Sequence, residues 1–411
     1  MELLLYIDPG TGSMLFTIII GMVGAVVYLF RAATMKLKMV LARDKDAKIN
    51  SDKLPIVIFS DHKRYWNVFG PICDELEKRG QTACYYTMSE DDPALNKKYK
   101  NVHCEFIGSG NDGFSRMNLI NASIVLSTTP NLDVYQWRRS KLADYYVHVP
   151  HSAGSLTLYR MFALNFYDGV MYSGDFQKEG LQKLFKGQAY APKEFIKVGI
   201  PYMDEMLKRV QESGKAASEG RKTVLLAPSW GPSAILSVYG ERIIEALLKT
   251  DYNIVIRPHP QSFTAEKEMM DRLMAKYPDS DRLNWNRDND NFDVLNRSDI
   301  LISDFSSVVF DFALVFNKPV ICATAEFDTA IYDQYFLDDE LWELQVLPRL
   351  GPSLDEKQFE NIGDIIEDCI NGSAYKESRE AVIKEVWSNM GTSSSAVADF
   401  LIKKLQKLSG K

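Results

Sequence analysis

The side chains best suited to handling a phosphate are Asp304, Ser306, Ser307, His151 and His259. Residues 300–321 read ILISDFSSVVFDFALVFNKPVI. This is an apolar strand, a turn from Asp304 to Ser307, a helix and the start of another strand. A helix start leaves N–H groups without partners and turns the positive end of its dipole outward, which makes an anion site. Hydroxyls placed there cap the helix, bind a phosphate, or do both. Histidine is scarce, with five in 411 residues. Two of them follow apolar strands: His151 in YYVHVPHSAGS and His259 in IVIRPHPQS. Pro150, Pro258 and Pro260 beside them hold the backbone extended and fix where each ring points. That suits a positioned acid, base or phosphate donor. The competing reading is a pair of ordinary surface-loop histidines.

Other candidates carry less information. Arg257, next to His259, pairs with a phosphate or simply with a carboxylate. Ser229 and Trp230 in LAPSWGPS follow a strand, and Trp230 packs either on a base or ribose or within its own domain. Asp288, Asp290 and Asp293 in NRDNDNFD allow a carboxylate metal site, but so polar a run reads first as a solvated loop. His62, after FSD, lies near the end of the first strand, and His148 reads as the core side of its own. The five cysteines are widely spaced with no CxxC, and read mostly as buried thiols of a reducing compartment. GxxxxGK[ST], HExxH, GxSxG and a GxGxxG after the first strand are all missing, so P-loop kinases, zincins, serine hydrolases and ordinary Rossmann dehydrogenases lose weight.

The elements that must hold these residues alternate. PIVIFS, a helix ending near Gly80, ACYYT, HCEFIG, SIVLST, YYVHV, GVMYSG and KVGI outline one series of short strands and helices. QESGKAASEGRK, residues 211–222, reads as a linker. The pattern then restarts: TVLLAPSWGP, a helix over AILSVYGERIIEALLK, YNIVIRPHP, RLNW, ILISD and KPVICAT. Alternation of this kind predicts two α/β domains with parallel, doubly wound sheets facing a cleft. The boundaries expected are 51–210 for the first domain, 222–385 for the second and 386–411 for a closing helix. A net charge of −7 without a long basic tract argues against nucleic acid.

Residues 14–30, MLFTIIIGMVGAVVYLF, form an uncharged apolar run about long enough to span a bilayer. Positive charges follow it, at Arg31, Lys36, Lys38, Arg43 and Lys45, whereas only Glu2 and Asp8 are charged before it. A signal peptide wants the opposite order. Residues 1–50 are therefore expected to be a single-pass membrane anchor and linker, with the bulk of the chain on the cytoplasmic side.

Taken together, VPHSAGS around His151, GIPYMDEM around Pro201, LAPSWG around Ser229, IRPHP around His259 and SDILISDFSSVVFDFALVFNKPVI resemble the CDP-glycerol glycerophosphotransferase family of teichoic acid synthesis. The resemblance covers roughly residues 145–325. It implies a GT-B-like fold and transfer of glycerol phosphate from CDP-glycerol, or a similar nucleotide-diphosphate donor, to a hydroxyl of a lipid-linked acceptor at the membrane. CMP would be released, and neither metal nor organic cofactor is expected. His151 would match the family's active-site histidine and serve as general base. His259 would match the RPHP histidine, and Ser306 and Ser307 the serines that hold the donor phosphates, with Ser229, Arg257 and Asp304 as further substrate-binding residues. Where the family commonly has glycine after the first histidine, this chain has Ser152. The alternatives are a GT-B glycosyltransferase, another CDP-polyol phosphotransferase, or a non-catalytic member of an envelope complex.

Overall fold

The computed structural model describes residues 53–188, 192, 194–213, 220–288, 290–323 and 329–410. The expected membrane helix and its linker lie outside these residues, as do residues 214–219 of the expected interdomain linker. Among the described residues no helix is long and apolar enough to cross a membrane.

Two parallel sheets organise the compact unit Leu54–Lys411. The first contains β1 (Leu54–Ser60), β2 (Ala83–Thr87), β3 (Val102–Phe106), β4 (Ala122–Ser127), β5 (Ala143–His148), β6 (Gly169–Tyr172) and β7 (Glu194–Lys197). Its order is β3-β2-β1-β4-β5-β6-β7. The second contains β8 (Thr223–Leu226), β9 (Asn253–Ile256), β10 (Leu283–Trp285), β11 (Ile300–Ser303), β12 (Val320–Ala323) and β13 (Ser353–Leu354), in the order β10-β9-β8-β11-β12-β13. Each sheet winds outward in one direction, returns to its first strand and winds the other way. The crevice where the direction reverses is where such sheets bind ligands. It lies between β1 and β4 in the first sheet and between β8 and β11 in the second.

The central strands form because they are apolar on both faces and helices cover both. Ile300, Leu301, Ile302 and Ser303 of β11 are all buried, and β12 is buried along its length. Each fully buried Ile, Val or Phe contributes about 1.5–3 kcal/mol through loss of water contact. The Trp66–Lys78 helix shows the matching one-sided pattern, burying Val68, Phe69, Ile72, Cys73 and Leu76 against the first sheet.

Two elements differ from the sequence expectation, and a third shows its packing only in the structure. AILSVYGERIIEALLK is not one helix but two, Ile235–Val238 and Glu241–Leu248, because the chain breaks at Gly240 with φ of 49°. The helix after Ser307 runs regularly only over Val308–Phe310 and then widens into a π-turn over Asp311–Val315, a form frequent at functional sites. The closing helix, Ser393–Ser409, lies on the first sheet, packed on the Trp66–Lys78 helix and β1 and β4. Asp204 ties the crossing down by accepting the indole N–H of Trp387 at 2.8 Å and the backbone N–H of Ser393 at 2.7 Å.

Candidate active site

Loops at the strand ends of both sheets meet around one cavity of about 220 Å³. The first sheet contributes Arg64 and Tyr65 after β1 and His151 and Ser152 after β5; the second contributes Arg257 and His259 after β9 and Ser306 and Ser307 after β11. His151, His259, Arg257, Ser306 and Ser307 are thereby brought together from positions up to 156 residues apart (307 − 151). A larger hollow of about 540 Å³ beside the Glu241–Leu248 helix gathers no histidine, and its Arg242 is paired with Glu356.

His151 is fixed on three sides. Its Nδ1 shares hydrogen bonds with the Thr128 hydroxyl at 2.8 Å and the Tyr159 hydroxyl at 3.2 Å. The ring stacks on Tyr159 and tilts against Tyr65. Burial, and then the nearby Arg64 charge, push its pKa down to about 4. It is therefore neutral at pH 7, as a proton acceptor must be. His259 is held differently. Its Nδ1 accepts the backbone N–H of Gln261 at 3.1 Å, and its ring plane lies at 28° to that of Trp230 with centroids 6.3 Å apart. Burial, Arg64 and Arg257 together push His259 down to about 4.

Ser307 occupies the N-cap position, yet its hydroxyl does not cap the helix. The capping alternative is thus not what the side chain does, and both Ser306 and Ser307 line the cavity. Asp304 and Ser229 do not line it; they brace it from behind. The buried Asp304 carboxylate accepts the backbone N–H of Ser229 at 2.9 Å, of Ile235 at 3.0 Å and of Ser306 at 3.1 Å. One side chain thereby sets the loop after β8 against the loop after β11. Burial raises its pKa while those donors pull it back. Arg257 is committed on one side, donating to the Asn286 side chain and, at 2.8 Å, to the Asp288 carbonyl.

The weaker candidates find ordinary roles. His62 accepts the N–H of Arg64 at 3.1 Å and caps a short turn. Asp290 pairs with Arg209 at 2.6 Å. Among the described residues no group of three or more His, Cys, Asp or Glu side chains is arranged to hold a metal ion.

Several cavity groups escaped the sequence reading, Asp311 and Arg64 among them. Asp311 is fully buried at the cavity wall, and burial raises its pKa to about 7. The Tyr202 hydroxyl donates to it and to Asn291, at 3.1 Å each. A single charge inside VVFDFALVF was the available signal. Arg64 left none, because one arginine in a polar loop looks like any other.

The fold is that of GT-B-like enzymes. A wall teichoic acid polymerase TagF soaked with CDPG superposes with a TM-score of 0.54 at 16% identity, over 93% of this chain and 98% of that one. A Neisseria meningitidis UDP-GlcNAc 2-epimerase bound to UDP-GlcNAc gives 0.55 at 13% identity, over 85% and 99%. Within that class, residues 163–401 match the CDP-Glycerol:Poly(glycerophosphate) glycerophosphotransferase family, and the chain belongs to it. The match runs further toward the C-terminus than the motifs suggested and begins after His151. A teichoic acid glycerol-phosphate primase of Bacillus subtilis strain 168 is 27% identical over 146 residues, 34% of this chain and 35% of the primase. The minor teichoic acid biosynthesis protein GgaB of the same strain is 28% identical over 172 residues, 35% of this chain and 17% of GgaB. The matched part of this chain thus spans about a third or less of these curated relatives.

Proposed function

We propose that this chain transfers glycerol phosphate from CDP-glycerol to an acceptor hydroxyl and releases CMP, in the synthesis of teichoic acid or a related envelope polymer. The observation that carries the reading is the convergence of His151, His259, Ser306 and Ser307 on one cavity between two reversing sheets. His151 takes the acceptor proton. The acceptor oxygen attacks the glycerol-bearing phosphorus, and the bond from that phosphorus to the bridging oxygen breaks, so CMP leaves with the electron pair. His259 and the Ser306–Ser307 turn hold the diphosphate, and Asp304 keeps that turn in place by bonding the Ser306 N–H. Positioning and charge stabilisation suffice for phosphoryl transfer of this kind.

The acceptor in this reading is a lipid-linked glycan or growing polyol-phosphate chain. Residues 1–50 then serve as a single-pass anchor that keeps the catalytic unit at the cytoplasmic face, where such an acceptor is presented. The uncharged run at 14–30 with positive charges after it supports that placement.

CMP release by detergent-solubilised full-length protein tests the reading. CDP-glycerol, CDP-ribitol and several nucleotide sugars serve as donors, membranes as acceptor and His259→Ala as control. Release from CDP-glycerol, lost in the variant, is expected. Turnover of a nucleotide sugar alone replaces the reading with a glycosyltransferase, and silence with every donor despite nucleotide binding points to a non-catalytic role.

A further inference from the structure

Arg64 stands apart from the other cations of the site. It follows β1 in the SDHKRY loop, outside the residues matched to the family. The backbone around it is pinned. The Ser60 hydroxyl donates to the His62 carbonyl at 2.9 Å, His62 accepts the Arg64 N–H, and the Lys63 N–H donates to the Ser89 hydroxyl at 2.9 Å. Lys63 itself is paired with Asp91. The Arg64 side chain is exposed and lines the cavity, and among the described residues it has no hydrogen bond or carboxylate partner. Its one side-chain contact is with its neighbour, the guanidinium lying 5.4 Å from the Tyr65 ring centroid. Arg257, the other cavity cation, has two of its donors committed, to the Asn286 side chain and the Asp288 carbonyl, and reaches the cavity from the second lobe.

Arg64 also lowers the pKa of the buried Asp61 carboxylate but forms no ion pair with it, so its guanidinium donors stay open to a phosphate in the cavity. A nucleotide diphosphate brings about two negative charges. With His151 and His259 both depressed to about 4, neither ring is charged at pH 7. Arg64 is also among the causes of depression in both rings, so its charge is felt on the two sides of the cavity at once. A planar guanidinium with five donors, held on a fixed backbone and left unpaired, fits the oxygens of a phosphoryl group.

We infer that Arg64 supplies, from the first lobe, the positive charge for the phosphoryl group under transfer, opposite the His259 and Ser306–Ser307 side that holds it from the second. This rests on the reading of the site as a phosphotransferase. During transfer the acceptor oxygen–phosphorus bond forms as the phosphorus–bridging oxygen bond breaks. Negative charge spreads over the non-bridging oxygens, and a cation placed there is stronger in the transition state than in the ground state. Because Arg64 comes from the opposite lobe, donor alone on the second lobe is incompletely neutralised until the first lobe meets it.

The test compares wild type with Arg64→Gln, Arg64→Lys and Arg64→Ala. CMP release from CDP-glycerol by Arg64→Gln is expected to fall about 100- to 1,000-fold in kcat/KM, with Arg64→Lys intermediate. Guanidinium ion added to Arg64→Ala is expected to restore part of the loss, which a merely structural role would not allow. Melting temperature is measured alongside and is expected to stay within about 2 °C, since the side chain is exposed. Calorimetry with inorganic pyrophosphate is the second arm, and Arg64→Gln is expected to bind it at least tenfold more weakly. CMP release and pyrophosphate binding within threefold of wild type in Arg64→Gln overturn the inference while leaving the phosphotransferase reading intact. Pyrophosphate binding that depends on Arg64, in a wild type inert toward CDP-glycerol, leaves the phosphate role standing and removes the donor assignment. A wild type that binds neither ligand overturns both.

Discussion

His151 Nδ1 and Thr128 Oγ1 lie 2.8 Å apart, across the ends of two neighbouring strands, β5 and β4. That contact, with Tyr159 beside it, occupies Nδ1. Among the described residues Nε2 has no protein partner, so it is the nitrogen free to meet an acceptor hydroxyl. A neutral ring with Nδ1 protonated toward Thr128 or Tyr159 presents its lone pair at Nε2.

His151→Ala is therefore expected to remove CMP release by about 1,000-fold or more, and Thr128→Val by about tenfold through loss of tautomer control. The acid limb of kcat/KM is expected near pH 4, well below an ordinary histidine, because the free enzyme must protonate a buried ring beside Arg64. Steady-state rates from pH 4 to 8 check this. A limb at pH 6.5 would remove His151 as the base.

Asp311 predicts the alkaline side. Its carboxyl, raised to about 7 by burial, ionises as pH climbs through that value and adds negative charge to a cavity built for phosphate. Donor affinity is expected to weaken several-fold between pH 6 and 8.5, and Asp311→Asn to flatten that change. Calorimetric titration of CDP-glycerol at the two pH values measures it.

Glu343 makes a stability prediction. It is fully buried, its pKa is raised to about 7, and it accepts the Ser155 N–H at 2.6 Å next to the His151 loop. Folded-state pKa exceeds unfolded pKa, so its contribution is fully present below about pH 4.5 and is lost as pH rises through 7. The expected loss by pH 8 is about 3 kcal/mol. Urea unfolding at pH 5 and pH 8 should show Glu343→Gln gaining on wild type at the higher pH; parallel behaviour of the two proteins would contradict it.

Asp304→Ala strands the N–H groups of Ser229, Ile235 and Ser306 together. At about 1–3 kcal/mol for each unpaired buried donor, a loss of at least about 3 kcal/mol is expected. Donor binding should weaken as well, because Ser306 loses its anchor. An Asp304→Ala protein with unchanged melting temperature would show that the carboxylate does not brace the site.

The anchor is tested apart from the chemistry. Protein lacking residues 1–48 is expected to leave the membrane fraction without detergent, while the full chain stays with it. Full-length protein in the soluble fraction would end that proposal.

The order of short apolar segments in the sequence was enough to determine the strands, because each is a local run long enough to declare its own period. ILIS became β11 and KPVI led into β12 as read. The same runs determined that His151, His259, Ser306 and Ser307 follow their strands, and strand ends of a parallel sheet share one edge. Tertiary structure decided what those ends face. Arg64 acquired meaning only when the loop after β1 met loops nearly 200 residues away, and Asp304 turned from a cavity residue into a brace because its three N–H donors come from two separate loops. The closing helix likewise crossed back to the first sheet. Burial of whole surfaces sets such contacts, and no local period records which surfaces will meet.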